Sequence, residues 1–158
     1  MTKETQKQID DWLEIINKLP FDLLKQVSEE DLSLTVGKNM GTLGEQFRHM
    51  IRTRFQYAEA IENKKLADII ERLDPSISKS KKELIILWEK ANKKLVEVVQ
   101  NTQGDLVIDW KHWGAPSMNL RDHLNVLMDH ETLHIGELIV YIKTHEIPFP
   151  KSWTMWGL

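Results

Sequence analysis

Four stretches of this chain carry apolar residues at helical spacing, and none alternates as a half-buried strand would. The first places Ile9, Trp12, Leu13, Ile16 and Leu19 on one face and is expected to stop at Pro20, whose ring removes a backbone donor. A second opens at Thr42, with Glu45 three residues on as a capping box, and continues through Leu43, Phe47, Met50, Ile51, Phe55, Ala58 and Ile61. After the Asp74-Pro75-Ser76 break, Ser80 and Glu83 repeat the capping signature ahead of Leu84, Leu87, Trp88, Ala91, Leu95 and Val98, and this third helix is expected to end near Gly104. The fourth runs from about Asn119 to His145, with Leu120, Leu124, Leu127, Met128, Ile135, Leu138, Ile139 and Ile142 on its apolar side, and Pro148 and Pro150 close it. Between the last two, Leu106 to Met118 holds two tryptophans and a Gly-Ala-Pro turn, read as a structured loop with at most a short hairpin. The pattern predicts an all-α four-helix bundle occupying residues 1–158 as one domain, and in such bundles metal and ligand sites form from side chains on facing helices.

Composition narrows the chemistry. Lys and Arg number 21 against 24 Asp and Glu, a net charge of −3, which offers no electrostatic footprint for nucleic acid or an anionic membrane. The 158 residues contain no cysteine, so disulfides, thiolate catalysis and Cys-ligated metals are excluded and a transition-metal site must rest on His and carboxylates. The N-terminal residues lack the apolar run of a secretory signal, and the expected location is the cytoplasm.

Within the fourth helix, His130-Glu131-Thr132-Leu133-His134 sets two imidazoles four residues apart, a net turn of about 40° and a rise of about 6 Å, so both rings reach one ion from one face. A catalytic zinc usually takes three protein ligands and a water. His49, in the second turn of helix two, is the candidate third. Alone it would read as a satisfied core histidine; beside the pair it reads as a ligand. His123, Glu137 and Tyr141 extend the same stripe, and Gly136, costly inside a helix, suggests the close approach of a backbone or ligand. His123 is expected to be a neighbouring polar group or a contact to helix one. His112 and His145 are expected to be structural or solvated, Trp153 and Trp156 to cap the bundle, and Arg48 and Arg52 to lie in solvent or at a subunit contact.

The pentapeptide admits two other readings. As a zinc-protease motif it would use Glu131 as general base, but the longer form needs glycine at 137 and histidine at 140, where this chain has Glu137 and Val140. As half of a ferritin-like di-metal site it would need a second Glu-x-x-His, whereas Glu45 stands four residues before His49.

The order of these elements resembles the DinB-like superfamily of helical bundles, which includes the YfiT-like thiol transferases: a histidine early in helix two within Glu45-Gln46-Phe47-Arg48-His49-Met50, a histidine-rich fourth helix from His123 to Glu137, and a tail with Pro148, Pro150 and a Trp-containing end. The resemblance implies a homodimer binding a divalent ion through His49, His130 and His134, with zinc or nickel expected and iron or manganese as alternatives. Where the family often has Arg-Gly-Gln after the last histidine, this chain has Ile135-Gly136-Glu137, which changes the charge near the ion. The implied activity is transfer of a low-molecular-weight thiol such as bacillithiol to an electrophile, with Glu131 or Glu137 as general base or as support for a ligand. The rival expectation is a non-enzymatic, stress-associated bundle acting through bound metal or a partner.

Overall fold

The computed structural model describes residues 3–67, 73–102 and 104–158, without the side chains of residues 3–6, 8 and 12; the Trp12 side chain expected on the first apolar face therefore lies outside the described part. Four long helices form the bundle: α1 (Lys3–Gln26), α2 (Leu43–Asn63), α3 (Lys81–Asn101) and α4 (Leu120–Thr144). Before α4 a hairpin pairs β1 (Val107–Ile108) antiparallel to β2 (Met118–Asn119).

Local chemistry explains the boundaries. At the start of α2, Thr42 Oγ1 accepts from the Glu45 amide at 3.1 Å and Glu45 Oε2 accepts from the Thr42 amide at 2.8 Å, the full capping box. The second box forms only by half. Ser80 Oγ accepts from the Glu83 amide at 3.4 Å, but the Ser80 amide donates to the Ile77 carbonyl, closing a 3-10 turn at Pro75–Lys79. Asn119 caps α4 through the Asp122 amide at 2.9 Å, and His145 follows its last turn.

Pro20 does not end the first helix, contrary to expectation: α1 continues to Gln26. A proline strips the carbonyl four residues earlier of its helical donor. That carbonyl, Ile16, receives Arg54 Nη2 at 3.4 Å instead, and beyond the proline Leu23, Leu24 and Val27 are buried and hold the last turns by packing.

Side-chain contacts fix the helix directions. Along α4, His123 meets Tyr57, His130 meets His49 and Tyr141 meets Met40 and Gly41, so α4 runs antiparallel to α2. Phe47 packs edge-on to Trp88 and Lys94 reaches Glu59 and Glu62, so α3 runs parallel to α2. Lys81 Nζ donates to the Lys25 carbonyl while Asn17 receives Trp88, so α1 is antiparallel to α3. At the head of α2, Gly44 lies against the 3-10 turn so closely that a Cβ would stand 1.8 Å from the Ser78 carbonyl oxygen.

The core falls into two apolar clusters. One gathers Leu23, Leu24, Leu43, Phe47, Met50, Leu84, Trp88, Leu138, Tyr141 and Trp153; the other gathers Ile9, Leu13, Tyr57, Ile61, Leu95, Val99, Ile108, Trp110, Leu124 and Leu127. Between them lies a buried polar layer. Arg54, 2% exposed, donates through Nε and Nη2 to the two oxygens of Glu131, 0% exposed, both at 3.0 Å. Its Nη1 donates to Asn17 Oδ1 at 2.7 Å, Trp88 Nε1 donates to the same oxygen at 2.7 Å, and the guanidinium lies 4.1 Å from the Trp88 ring centre. Every helix contributes one residue to this layer.

Candidate metal centre

The three histidines expected as ligands come together. His49 Nε2 and His134 Nε2 each lie 3.1 Å from His130 Nε2, and one ring nitrogen from each residue falls within 4.8 Å of the others. Three nitrogens at about 2.1 Å from one ion at tetrahedral angles would stand about 3.4 Å apart, a spacing that the two pairs at 3.1 Å nearly have. Neutral imidazoles converging by their Nε2 atoms cannot all satisfy one another, because each ring nitrogen is either a donor or an acceptor. A shared cation satisfies all three at once, and the donor set fits zinc, nickel, iron or manganese by chemistry.

The surroundings disfavour the charged form of two of the rings, His49 and His130. Burial, followed by the neighbouring charges of His134 and then Arg52 and Arg48, pushes His49 down to about 4. Burial, with His134 and His49 next, pushes His130 down to about 3. Neutral imidazole is the form that binds metal.

Glu137 Oε2 lies 2.7 Å from His134 Nδ1. A carboxylate only accepts, so the ring proton sits on Nδ1 and the lone pair of Nε2 is directed at the cluster, the arrangement that orients a metal-binding histidine. Arg52 Nη2 lies 3.3 Å from His49 Nδ1, and among the described residues His130 Nδ1 is buried with no hydrogen-bond partner. Arg48, His49, Arg52, Leu73 and Pro75 line a cavity of about 280 Å³ beside the cluster.

Several expectations need correction. Glu131 has both oxygens in the Arg54 pair and is not among the groups that meet at the cluster. Arg48 and Arg52 are half-buried and line a cavity with His49 rather than standing free in solvent. His123 is fully buried on α2 and the hairpin rather than on helix one: its Nδ1 accepts from Trp110 Nε1 at 3.1 Å and its Nε2 donates to the Tyr57 carbonyl at 3.1 Å, so it has no free lone pair for an ion. Gly136 faces open space, with nothing within 4 Å of an added Cβ, and the close approach belongs to Gly44. His145 Nε2 reaches the Thr35 carbonyl at 2.9 Å and ties down a loop, in keeping with the structural role that is one of its two expected readings. Trp153 is buried and donates to the Leu19 carbonyl at 2.9 Å, whereas Trp156 stays 57% exposed. Arg54 went unread, although it interrupts the apolar stripe between Ile51 and Ala58 just as Glu131 interrupts that between Leu127 and Leu138; two opposite charges at core positions were the available signal.

Three inward histidines on facing helices of a bundle are compatible with a divalent metal ion held in the bundle core. The sequence profile of the DinB family matches residues 1–145, and the chain belongs to that family. Its fold is similar to the crystal structure of a DinB-like protein, YjoA, from Bacillus subtilis, with a TM-score of 0.70 and 18% identity over 89% of this chain and 94% of that one. A segment of 81 residues is 36% identical to the protein kibra of Drosophila ananassae, covering 48% of this chain and 6% of that protein. The chain thus spans a small fraction of the length of that curated relative.

Proposed function

We propose that this protein is a divalent-metal-dependent enzyme that transfers a low-molecular-weight thiol, such as bacillithiol, to a small electrophile. The observation that carries this reading is the convergence of His49, His130 and His134 by their Nε2 atoms beside an accessible cavity. A divalent ion, when bound, supplies positive charge that favours the thiolate form of a thiol beside it at neutral pH. The chain has no cysteine, so the sulfur must come from the small molecule.

The protein's own residues supply position and proton handling. Glu137 fixes the His134 ring, and in this reading its carboxylate, on a side chain 37% exposed, takes up the thiol proton. The carbon–sulfur bond then forms as the bond from that carbon to its leaving group breaks, the electron pair departing with the leaving group. Glu131 does not serve as base in this scheme, because Arg54 holds both its oxygens; the same pairing counts against a protease-like use of the pentapeptide. Low-molecular-weight thiols are kept reduced in the cytoplasm, where this reading places the protein as a homodimer. Among the described residues no helix is long and apolar enough to cross a membrane.

The test pairs elemental mass spectrometry with a thiol-conjugation assay, on wild type and on a His130→Ala/His134→Ala variant. Near-stoichiometric metal and metal-dependent conjugation, both lost in the variant, are expected. Stoichiometric metal without conjugation of any thiol would favour the non-enzymatic bundle, and absence of metal after incubation with excess ions would overturn the metal site itself.

A further inference from the structure

Two guanidinium groups flank the metal ligand of α2. Arg48 and Arg52 are spaced i, i+4, with His49 between them, and all three line the 280 Å³ cavity whose remaining described walls are Leu73 and Pro75. Like charges at this spacing destabilise a helix, and two cations beside a cluster that takes a dication oppose its binding. Neither effect serves folding or metal retention.

No partner among the described residues compensates for either charge. Among the described residues neither arginine forms an ion pair with a carboxylate within 4 Å, and Arg52 Nε is buried with no hydrogen-bond acceptor. Asp74 is exposed, and its carboxyl is held below its ordinary value first by hydrogen bonding to Ser76, whose amide donates to Oδ1 at 2.8 Å, and only last by the Arg48 charge. Arg52 Nη2 is directed at His49 Nδ1, a contact that weakens once Nδ1 carries the ring proton, as ligation through Nε2 requires. A guanidinium so released has its donors available. The cavity volume lies at the lower end of small-ligand pockets, and its apolar walls strengthen charge pairing inside.

We infer that this cavity binds the anionic arm of the thiol substrate, a carboxylate or phosphate gripped by Arg48 and Arg52 while the sulfur faces the three histidines. The inference deepens the proposed thiol transfer and rests on it for the identity of the ligand. It requires that anion and metal favour each other, because the anion cancels the arginine charge that opposes the ion, and such coupling is reciprocal.

Isothermal titration of zinc-loaded and zinc-free protein with mercaptosuccinate, succinate, inorganic phosphate and neutral succinamide tests it without any turnover. Mercaptosuccinate is expected to bind the zinc-loaded protein tightest, succinate and phosphate more weakly, and succinamide not at all. An Arg48→Gln/Arg52→Gln variant is expected to lose about tenfold or more in anion affinity while keeping its zinc stoichiometry and helical circular dichroism. Arg52→Lys, which keeps the charge, should retain part of the affinity. Equal anion binding by wild type and the double variant, or none by either, overturns the site. Succinate binding as tightly as mercaptosuccinate on the zinc-loaded protein overturns the link between the anion and the thiol. Because zinc content and conjugation are measured separately, failure of the enzymatic reading is told apart from failure of the anion site.

Discussion

Replacing Arg54 by Leu is expected to be among the most damaging single changes in the bundle. The guanidinium makes two hydrogen bonds at 3.0 Å to Glu131, one at 2.7 Å to Asn17 and one at 3.4 Å to the Ile16 carbonyl that Pro20 leaves free. Its loss strands a carboxylate that is 0% exposed, and breaking a buried pair by removing one partner costs about 3–5 kcal/mol. Against a total stability of about 5–15 kcal/mol that is a large share, equivalent to a fall in Tm of roughly 6–20 °C for a chain of this size. Glu131→Gln should cost less, because the amide keeps one acceptor for Arg54. Replacing both residues, Arg54→Met with Glu131→Leu, removes both charges from the core and should recover most of the loss, since well-packed apolar residues commonly match a buried ion pair. Urea denaturation at pH 7.5 of wild type, Arg54→Met, Glu131→Leu and the Arg54→Met/Glu131→Leu double variant closes a double-mutant cycle, and Arg54→Leu and Glu131→Gln are measured beside it. A loss below about 1 kcal/mol for Arg54→Leu, or a double variant that loses the sum of the two singles, would refute the argument that the pair is a buried, mutually dependent unit.

Glu137→Ala should weaken zinc binding by about 10–100-fold by freeing the His134 ring, with Glu137→Gln retaining much of the affinity through its amide oxygen; a competition titration with a chromophoric chelator reads both. Gly136→Ala should stabilise the protein by about 0.5–1 kcal/mol in thermal melts, since the residue faces open space in a helix, whereas Gly44→Ala should destabilise it by about 1–3 kcal/mol or more through the clash with the Ser78 carbonyl. Burial holds His123 down at about 4, below its ordinary 6.5, so the unfolded chain binds more protons between those values. Stability of the zinc-free protein should therefore be full above pH 6.5 and fall as the pH drops toward 4, with His123 contributing a slope of up to about 1.4 kcal/mol per pH unit. His123→Gln, which can still accept from Trp110 and donate to Tyr57, should flatten that slope in melts across this range; an unchanged slope would show that His123 does not contribute.

The helices were legible because their signals are local. Thr42 with Glu45 and Asn119 with Asp122 satisfy amide groups within one turn, and the apolar spacing of α2, α3 and α4 states which face must be buried before any partner is known. The histidine pair of α4 was legible for the same reason, its geometry being set by helix pitch alone. Pro20 misled because its local cost was counted without the packing of Leu23 and Leu24 beyond it and the Arg54 donor supplied from another helix. Gly136 misled because a helical glycine has two explanations, close approach or mere tolerance, which only the neighbouring atoms tell apart.

The chain alone determined an all-α architecture, the absence of any thiolate ligand or nucleophile, and the candidate set His49, His130 and His134. Only the tertiary structure decided what each polar group on the stripe does: that His123 is satisfied by Trp110 and Tyr57, that Glu131 belongs to Arg54, that Glu137 turns His134 toward the cluster, and that Arg48 and Arg52 border its cavity. The physical reason is range. Caps and helix pitch act over a few residues, whereas a buried polar side chain is governed by whichever atom the packing brings within about 3 Å, and here those atoms come from as far as 134 positions away.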